Sequence, residues 1–254
     1  MNRLQTTAET KHPGGTVGAP RAVLFDMDGV LYDSMPAHAI AWSTAATSFG
    51  LHMSPQEAYL HEGRTGSGTI NILAQRHWGR NATEEELQRI YAEKSRIFNS
   101  QPKAKPMPGA RELLEGLRDM GLTIVLVTGS AQHSLLDRLN ADFPGIFAPQ
   151  RMVTAFDVVH GKPHPEPYLM GLQRAGVEAA EAVVVENAPL GVEAAHAAGI
   201  FTYAINTGPL PDDILWQAGA GCVVPKEGGF TMVMEGITHR LQTGLPPRPS
   251  HCPV

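Results

Sequence analysis

The amino-acid sequence predicts an α/β fold, in which a doubly wound parallel sheet core carries an inserted α-helical cap domain. Three short apolar runs, at residues 22–25, 122–127 and 182–185, have the pattern of strands buried on both faces. From residue 110 onwards, strand patterns alternate with helical segments, as in a doubly wound sheet. The block between the first strand and residue 102 is helical in pattern and has almost no strand signal. It is therefore predicted to be an insertion above the carboxyl ends of the strands.

This pattern divides the chain into four parts. Residues 1–20 and 243–254 are predicted to be a disordered leader and tail, because they are rich in polar residues, Pro and Gly. Residues 21–34 and 106–242 form the predicted core, and residues 35–105 form the cap. The expected helices are 35–49, 55–60, 68–77 and 83–98 in the cap, and 110–120, 132–139, 165–175 and 189–198 in the core. The remaining expected strands are 151–154, 200–205 and 222–224.

Composition and charge narrow the class of protein. With 254 residues, 43% hydrophobic and 18% charged, the chain resembles an ordinary globular protein. A net charge of −5 offers no basic surface for nucleic acid or an anionic membrane, and no apolar run approaches the roughly 18 residues of a membrane span. Two cysteines supply neither a disulfide framework nor a zinc cluster, which favours a reducing, cytoplasmic setting. We expect a monomer whose partner is a small molecule.

Two carboxylates end the first strand, in the segment Ala22-Val-Leu-Phe-Asp26-Met-Asp28-Gly-Val30. Side chains at i and i+2 of an extended segment share a face, so Asp26 and Asp28 can converge on one substrate atom. If the chain bends at Gly29, one carboxylate can attack while the other moves protons. Taken alone, the segment is equally compatible with a strand followed by an Asp-Gly turn.

Polar residues at other strand ends supply partners for this pair. Thr128-Gly-Ser130 follows the second strand, and Glu186 and Asn187 end the third. The carboxyl ends of parallel strands share one edge, where open α/β sheets bind ligands. Lys162 lies in the proline-containing loop Gly161-Lys-Pro-His-Pro165, which restricts it. A nucleophile, hydroxyl and amide donors, a cation and hard oxygen ligands together suit phosphoryl transfer assisted by Mg²⁺.

At these residues the sequence resembles the haloacid dehalogenase superfamily of phosphotransferases. The resemblance spans roughly residues 21–242, and its four motifs match in order. They are Asp26-Met-Asp28-Gly-Val, Val127-Thr128-Gly-Ser, Gly161-Lys162-Pro163 and Val185-Glu186-Asn187-Ala-Pro-Leu-Gly191. The cap placement resembles the branch that contains β-phosphoglucomutase, whose core is Rossmann-like. The resemblance implies that Asp26 forms an aspartyl-phosphate and that Asp28 acts as general acid and then as base.

The same resemblance implies the roles of the other core residues. The residues that would hold the transferring phosphate are Thr128, Gly129 (through its N–H), Ser130 and Lys162. The core residues that would place Mg²⁺ are Asp26, Asp28, Glu186 and Asn187.

The cap adds candidates for substrate binding. His38 lies where this branch has a histidine that contacts the site, with a surface helix histidine as the alternative. Lys94 lies where related caps have a lysine that meets the substrate phosphate, with a solvated helix face as the alternative. Gly66 stands where the mutase has an arginine that grips the distal phosphate of a sugar bisphosphate, although Arg64 is nearby. Ala131-Gln132 replaces the Lys-Asn of the mutase, and both changes argue against mutase activity.

Asn187 and Glu62 indicate the substrate. Asn187 replaces the second Asp that is usual in the superfamily, and its amide oxygen can ligate Mg²⁺ but brings no charge. We expect Glu62, in the cap loop His61-Glu-Gly-Arg-Thr-Gly-Ser-Gly68, to swing in as the missing ligand. Its alternative is an acid exposed to water at a helix end. The combination resembles the inorganic pyrophosphatase members of the branch, and a ligand on the cap favours a closed site and a small substrate.

Several alternatives stay open at this point. Sugar-phosphate phosphatase and β-phosphoglucomutase use the same chemistry. A receiver-like phosphoacceptor also has an Asp, a Thr or Ser and a Lys on a parallel sheet, although a general acid at Asp28 argues against a long-lived phosphoaspartate. A silent binding protein is suggested by Asn187 alone. The eleven histidines show no metal-ligand spacing, and His133, His160, His164 and His196 are expected to be surface or packing residues.

Overall fold

The computed structural model of the chain describes residues 18–130 and 135–245. Most of the predicted leader, the tail beyond residue 245, the start of the helix expected at Gln132, His133 and the Ala131-Gln132 change lie outside the described residues. Within the described ranges, no helix combines the length and the apolar character needed to cross a membrane.

The core is a six-stranded sheet whose strands are all parallel, as predicted. The strands are β1 (Ala22–Phe25), β2 (Thr123–Val127), β3 (Met152–Val153), β4 (Ala182–Glu186), β5 (Phe201–Asn206) and β6 (Cys222–Pro225). Their order is β3-β2-β1-β4-β5-β6, so β1 lies between β2 and β4 at the centre. All side chains of β1 are buried, which explains its continuous apolar run.

Helices cover both faces of the sheet. The cap helices are α1 (Met35–Ser48), α2 (Pro55–Leu60), α3 (Gly66–Trp78) and α4 (Glu84–Ser100). The core helices are α5 (Ala110–Asp119), α6 (Leu135–Asp142), α7 (Glu166–Ala175), α8 (Pro189–Ala197), α9 (Asp212–Gln217) and α10 (Gly229–Thr243). Helices α5 and α10 pack on the sheet face that carries Phe25, and α7 and α8 pack on the face that carries Leu24.

The cap helices have a hydrophobic cluster of their own, which includes Ala39, Leu51, Ile70, Leu73 and Ile90. Helix α4 begins with a capping box, in which Thr83 and Glu86 bond to each other's backbone N–H groups. The two chain segments that join cap and core run side by side, because the N–H of Asp33 donates to the carbonyl of Lys105 at 3.0 Å. The cap therefore has a separate hydrophobic cluster, and two adjacent chain segments connect it to the α/β core.

Two helices of the core, α9 and α10, are absent from the sequence prediction. Gly229 and Gly236 lower the intrinsic helix propensity of α10, so its sequence is a weak helix signal. Burial of Phe230, Val233 and Ile237 against the sheet stabilises the helix instead. The expected strand at 151–154 is shorter than predicted, because a 3₁₀ turn occupies Pro149–Arg151.

Candidate active site

The polar residues at the carboxyl ends of β1, β2 and β4 meet at one edge of the sheet. Phe25, the last residue of β1, is in register with Leu126 of β2 and Val185 of β4. The chain continues the ladder for one more step, since the N–H of Asp26 donates to the carbonyl of Val185 at 3.0 Å. The residues that follow each strand are therefore neighbours, as the parallel topology predicts.

Lys162 links the two buried carboxylates of this edge. Its Nζ donates to Asp26 Oδ1 at 2.5 Å, to Glu186 Oε1 at 2.7 Å and to the carbonyl of Val127 at 3.1 Å. The three charged residues are at most 4% exposed. Oδ1 of Asp26 is therefore held by the lysine, and Oδ2 of the same carboxylate is not.

Glu186 is held by four protein donors. Tyr168 and Lys162 donate to Oε1, and the N–H groups of Asn187 and Ala188 donate to Oε2. Gly191 is required beside it, because a Cβ there would overlap the Glu186 carboxylate. Direct metal ligation by Glu186 stays a prediction, while its contacts make it the residue that orients Lys162.

Burial sets the protonation of the Asp26–Lys162 pair. It raises the pKa of Asp26 above its usual range, although the ammonium of Lys162 lowers this pKa and the charges of Glu186 and Asp28 add to the rise. Burial also lowers the pKa of Lys162, but the two carboxylates outweigh it and raise that pKa above its usual range. The lysine is therefore charged, and further positive charge nearby would favour the ionised form of Asp26.

Asp28 is held in its ionised form. Ser34 Oγ donates to Asp28 Oδ1 at 2.6 Å, and Nε2 of His38 lies 3.3 Å from the same oxygen. Burial raises the pKa of Asp28, but the charge and hydrogen bond of His38 and the bond from Ser34 outweigh it and bring this pKa to about 2. Gly29 has a φ of 79° and no space for a side chain, because a Cβ would overlap the amide of Asn187.

Lys94 of the cap lies next to His38. Its Nζ lies 3.0 Å from Nδ1 of His38 and between 5.1 and 5.7 Å from the ring centroids of Trp42, Tyr91 and Phe98. Burial lowers the pKa of Lys94 to about 8, although the negative charge of Asp28 opposes this. His38 and Lys94 therefore both lie at the site, and neither is the surface residue of the alternative interpretation.

The cap loop reaches the core through Glu62. Its Oε1 accepts a hydrogen bond of 3.0 Å from Nδ2 of Asn187, and Glu62 is 8% exposed. Burial raises the pKa of Glu62 well above its usual range, and the negative charge of Asp26 raises it further. The solvent-exposed alternative for Glu62 is wrong in this conformation.

The donor set fits a Mg²⁺ ion. The carboxylates of Asp26, Asp28, Glu62 and Glu186 share a buried region, and an excess of buried negative charge is costly unless a cation compensates it. Oδ1 of Asn187 is buried without a hydrogen-bond partner among the described residues, as an unused oxygen ligand would be. Hard oxygen donors of this kind favour Mg²⁺ over zinc.

A cavity of about 80 Å³ lies between cap and core. It is lined on the core side by Asp26, Asp28, Thr128, Gly129 and Ser130, and on the cap side by His38, His61, Glu62, Arg64, Gly66 and Lys94, among others. Oγ1 of Thr128 accepts from the N–H of Ser130 at 3.1 Å, which fixes the turn that follows β2. The predicted substrate-binding residues thus line one small cavity, apart from Lys162. Lys162 contacts Asp26, which lines the cavity.

Arg64 is the cap-loop cation of this cavity. Its Nε is buried without a hydrogen-bond partner among the described residues, and burial lowers the pKa of its guanidinium. A side chain at Gly66 would overlap the ring of Tyr91, so the mutase-type arginine has no room at that position in this conformation. The two positions line the same cavity, and Arg64 supplies a cation there from a neighbouring point of the loop.

Several residues of the site are absent from the sequence prediction. Ser34, Tyr168 and the aromatic residues around Lys94 carry no motif of their own. Ser34 immediately precedes α1, and a polar residue at that junction was the available signal. Tyr168 is indistinguishable in the sequence from an ordinary core residue of α7.

Comparisons with known proteins agree with this geometry. A family model described as a haloacid dehalogenase-like hydrolase matches residues 20–199. Hexitol phosphatase A of Escherichia coli is 34% identical over 187 residues, which cover 73% of this chain and 83% of the relative. The phosphorylated carbohydrates phosphatase of Thermotoga maritima is 34% identical over 223 residues, which cover 84% and 98%. A Bacteroides vulgatus structure described as a "Putative beta-phosphoglucomutase" is 52% identical, with a TM-score of 0.86 and coverage of 90% and 93%.

Proposed function

The chain belongs to the haloacid dehalogenase-like hydrolases, and on that premise we propose that this phosphatase-type enzyme is a Mg²⁺-dependent inorganic pyrophosphatase. The observation that carries the substrate assignment is the 3.0 Å hydrogen bond between Glu62 of the cap and Asn187 of the core. It brings a cap carboxylate against the nucleophile end of the sheet, over a cavity of about 80 Å³. A site closed in this way favours a substrate as small as diphosphate.

The first step forms a bond between Asp26 and the substrate. The Asp26 oxygen not held by Lys162 attacks one phosphorus atom, the bond to the bridging oxygen breaks, and one phosphate leaves. Lys162 neutralises the charge that the attack places on the phosphoryl oxygens, and the Thr128 hydroxyl and Gly129 N–H hold that group in line. Glu186 and Tyr168 keep the lysine in position throughout.

In the second step, water attacks the phosphorus of the aspartyl-phosphate. Asp28 accepts the proton of that water, the bond between Asp26 and phosphorus breaks, and the second phosphate is released. A pKa near 2 keeps Asp28 ionised and ready for this task. In the first step the leaving phosphate is already a stable anion, so it needs an acid much less than the alkoxide of a sugar would.

The metal site would be formed by Asp26, Asp28 and Asn187 of the core with Glu62 of the cap, and Glu186 is the further predicted ligand. When bound, Mg²⁺ supplies positive charge beside the transferring phosphoryl group and lowers the cost of keeping Asp26 ionised. Lys94 and Arg64 face the same cavity and would bind the second phosphoryl group of diphosphate. The substrate would therefore lie between a core that reacts with one phosphorus and a cap that holds the other.

A sugar-phosphate phosphatase is the second candidate. It is supported by the names of the Escherichia coli and Thermotoga maritima relatives, which refer to hexitol phosphate and phosphorylated carbohydrates. The name of the Bacteroides vulgatus structure suggests β-phosphoglucomutase activity, against which the glycine at position 66 argues. A monomeric, cytoplasmic enzyme remains our expectation.

A steady-state panel with Mg²⁺ tests the proposal. We would compare kcat/KM for pyrophosphate, hexitol and hexose phosphates and β-glucose 1-phosphate, with Asp26→Asn as the inactive control. The proposal predicts that pyrophosphate ranks first by at least tenfold. A higher kcat/KM for a sugar phosphate would overturn the substrate assignment, and activity unchanged in Asp26→Asn would overturn the mechanism.

A further inference from the structure

A second group of metal-ligating side chains lies on the loop that carries Lys162 and at the start of α7. We propose that His160, His164 and Glu166 form a binding site for a transition-metal ion of the Zn²⁺ class, separate from the Mg²⁺ site. One ligand atom from each residue lies within 4.8 Å of the ligand atoms of the other two. From the sequence, His160 and His164 are expected to be surface or packing residues, because the histidines of the chain show no metal-ligand spacing.

The geometry of the group is close to that of a metal site. Nδ1 of His160 lies 2.9 Å from Oε2 of Glu166, and Nδ1 of His164 lies 3.8 Å from the same oxygen. The imidazole centroids are 4.6 Å apart, at 35° to each other. Zinc binds nitrogen and oxygen ligands at about 2.0–2.2 Å, which separates ligands in a tetrahedron by about 3.4 Å. Side-chain movements of about 1 Å would therefore bring the three ligand atoms to the separations of a tetrahedral site.

Backbone contacts hold the carboxylate in place before any ion binds. The N–H of Val159 donates to Oε1 of Glu166 at 2.8 Å, and the N–H of His160 donates to Oε2 at 2.9 Å. These bonds lower the pKa of Glu166 and keep it ionised. The carboxylate is thus a fixed anchor, and the two rings need only adjust towards it.

The ligand chemistry distinguishes this group from the catalytic one. Two imidazoles and one carboxylate suit Zn²⁺, Ni²⁺ or Cu²⁺, whereas Mg²⁺ prefers oxygen ligands and retains its water. The side chains of His160 and His164 are 62% and 51% exposed, so an ion can reach them from solvent. A neutral His160 would bind the ion through Nδ1 and carry its ring proton on Nε2, so the hydrogen bond between Nδ1 and Glu166 would be lost. The ion would also replace the hydrogen bond that the N–H of Glu166 donates to Nδ1 of His164.

The position of the group gives it a connection to the active site. Gly161, Lys162 and Pro163 lie between the two histidines, so one ion would join both ends of the segment that presents Lys162. Binding of the ion at this site does not depend on which phosphate compound the enzyme hydrolyses.

Zinc titration of the untagged full-length protein tests the proposal. We would follow ZnCl₂ binding by calorimetry in excess Mg²⁺, which occupies the carboxylate-rich catalytic region. We expect a site whose Kd rises at least tenfold in His160→Ala and in His164→Ala, and a weaker site in Glu166→Gln. His77→Ala is the matched control, because His77 and His52 form another exposed imidazole pair, with centroids 5.3 Å apart.

Metal ligation and the folding of each variant are measured separately. Co²⁺ absorption in the visible range would report imidazole ligation, and the melting temperature with Mg²⁺ would show that each variant is folded. Equal Zn²⁺ affinity in the wild type and the folded His160→Ala and His164→Ala variants would overturn the proposal. An equal loss in His77→Ala would overturn it as well, because the binding would then belong to exposed histidines in general.

Discussion

Replacing Glu62 by Gln changes one charge at the point where cap and core meet. The glutamine has nearly the same size, and its amide oxygen can still accept the hydrogen bond from Asn187. What disappears is the negative charge that we assign to the Mg²⁺ site. The variant therefore separates a ligand role of Glu62 from a purely mechanical role in closing the cap.

We expect Glu62→Gln to weaken Mg²⁺ binding and to stabilise the metal-free protein. Loss of even a supporting group costs a metal site about 10- to 100-fold in affinity, or about 1.4 to 2.7 kcal/mol. The Mg²⁺ concentration for half-maximal activity should rise by at least that factor. In the metal-free protein, however, burial and the charge of Asp26 raise the pKa of Glu62, so ionising Glu62 destabilises the fold. The free energy of unfolding should therefore be higher in Glu62→Gln at neutral pH.

The sign of the pH dependence can be checked in the same variant. The pKa of Glu62 is higher in the folded chain than the value of about 4.3 in an unfolded one, so the unfolded chain loses this proton first as pH rises. The contribution of Glu62 to the stability of the metal-free protein should fall as pH rises above about 4.3. Replacement by Gln removes that contribution.

Activity against Mg²⁺ concentration and thermal melting in EDTA and in Mg²⁺ measure both effects. Glu57→Gln is the control, since Glu57 also lies in this part of the cap but pairs with Arg76 at 2.7 Å. We expect the control to leave the Mg²⁺ midpoint unchanged. A Glu62→Gln enzyme with the wild-type Mg²⁺ midpoint would refute the ligand role of Glu62.

Three further predictions concern the cations of the site. Lys162→Met leaves Asp26 and Glu186 buried without their cation, which should cost about 3–5 kcal/mol in urea unfolding and abolish turnover. Because the pKa of Lys94 is about 8, kcat/KM should fall as pH rises through that value, and Lys94→Arg should move the fall to higher pH. Arg64→Ala should raise KM for pyrophosphate about tenfold or more and change kcat less, since it removes binding of the outer phosphoryl group.

Exposed cations of the same chain serve as controls for these variants. Lys103→Met and Arg89→Ala remove charges that lie outside the cavity. A wild-type stability of Lys162→Met would contradict the buried ion-pair network. A pH profile that is the same in Lys94→Arg as in the wild type would contradict the role of Lys94, and an unchanged KM in Arg64→Ala would contradict that of Arg64.

The sheet and the edge that carries the polar residues could be predicted because local sequence determines them. The apolar run before Asp26 requires a strand buried on both faces, and parallel strands bring their carboxyl ends together. The sequence therefore predicts that the side chains of Thr128 and Asn187 lie beside Asp26. Gly29 marked the bend, since its φ of 79° is one that other residues avoid.

The environment of each site residue could not be predicted in the same way. The four donors to Glu186 come from α7, the loop of Lys162 and its own strand end, and this convergence depends on packing. The aromatic rings that surround Lys94 belong to two cap helices whose pairing the sequence does not specify. Helix α10 depends on burial more than on intrinsic propensity, and its buried Arg240 donates to the backbone carbonyls of Gly18, Ala180 and Ala182, which are distant in sequence.

Rapid acid quench with [³²P]pyrophosphate tests the central claim most directly. In the presence of Mg²⁺, we predict a hydroxylamine-labile label on the peptide that contains Asp26, formed and lost at rates that account for kcat. Asp28→Asn should accumulate this label by slowing the attack of water, and Asp26→Asn should carry none. Pyrophosphate turnover by the wild-type enzyme without label above that of Asp26→Asn would contradict the account.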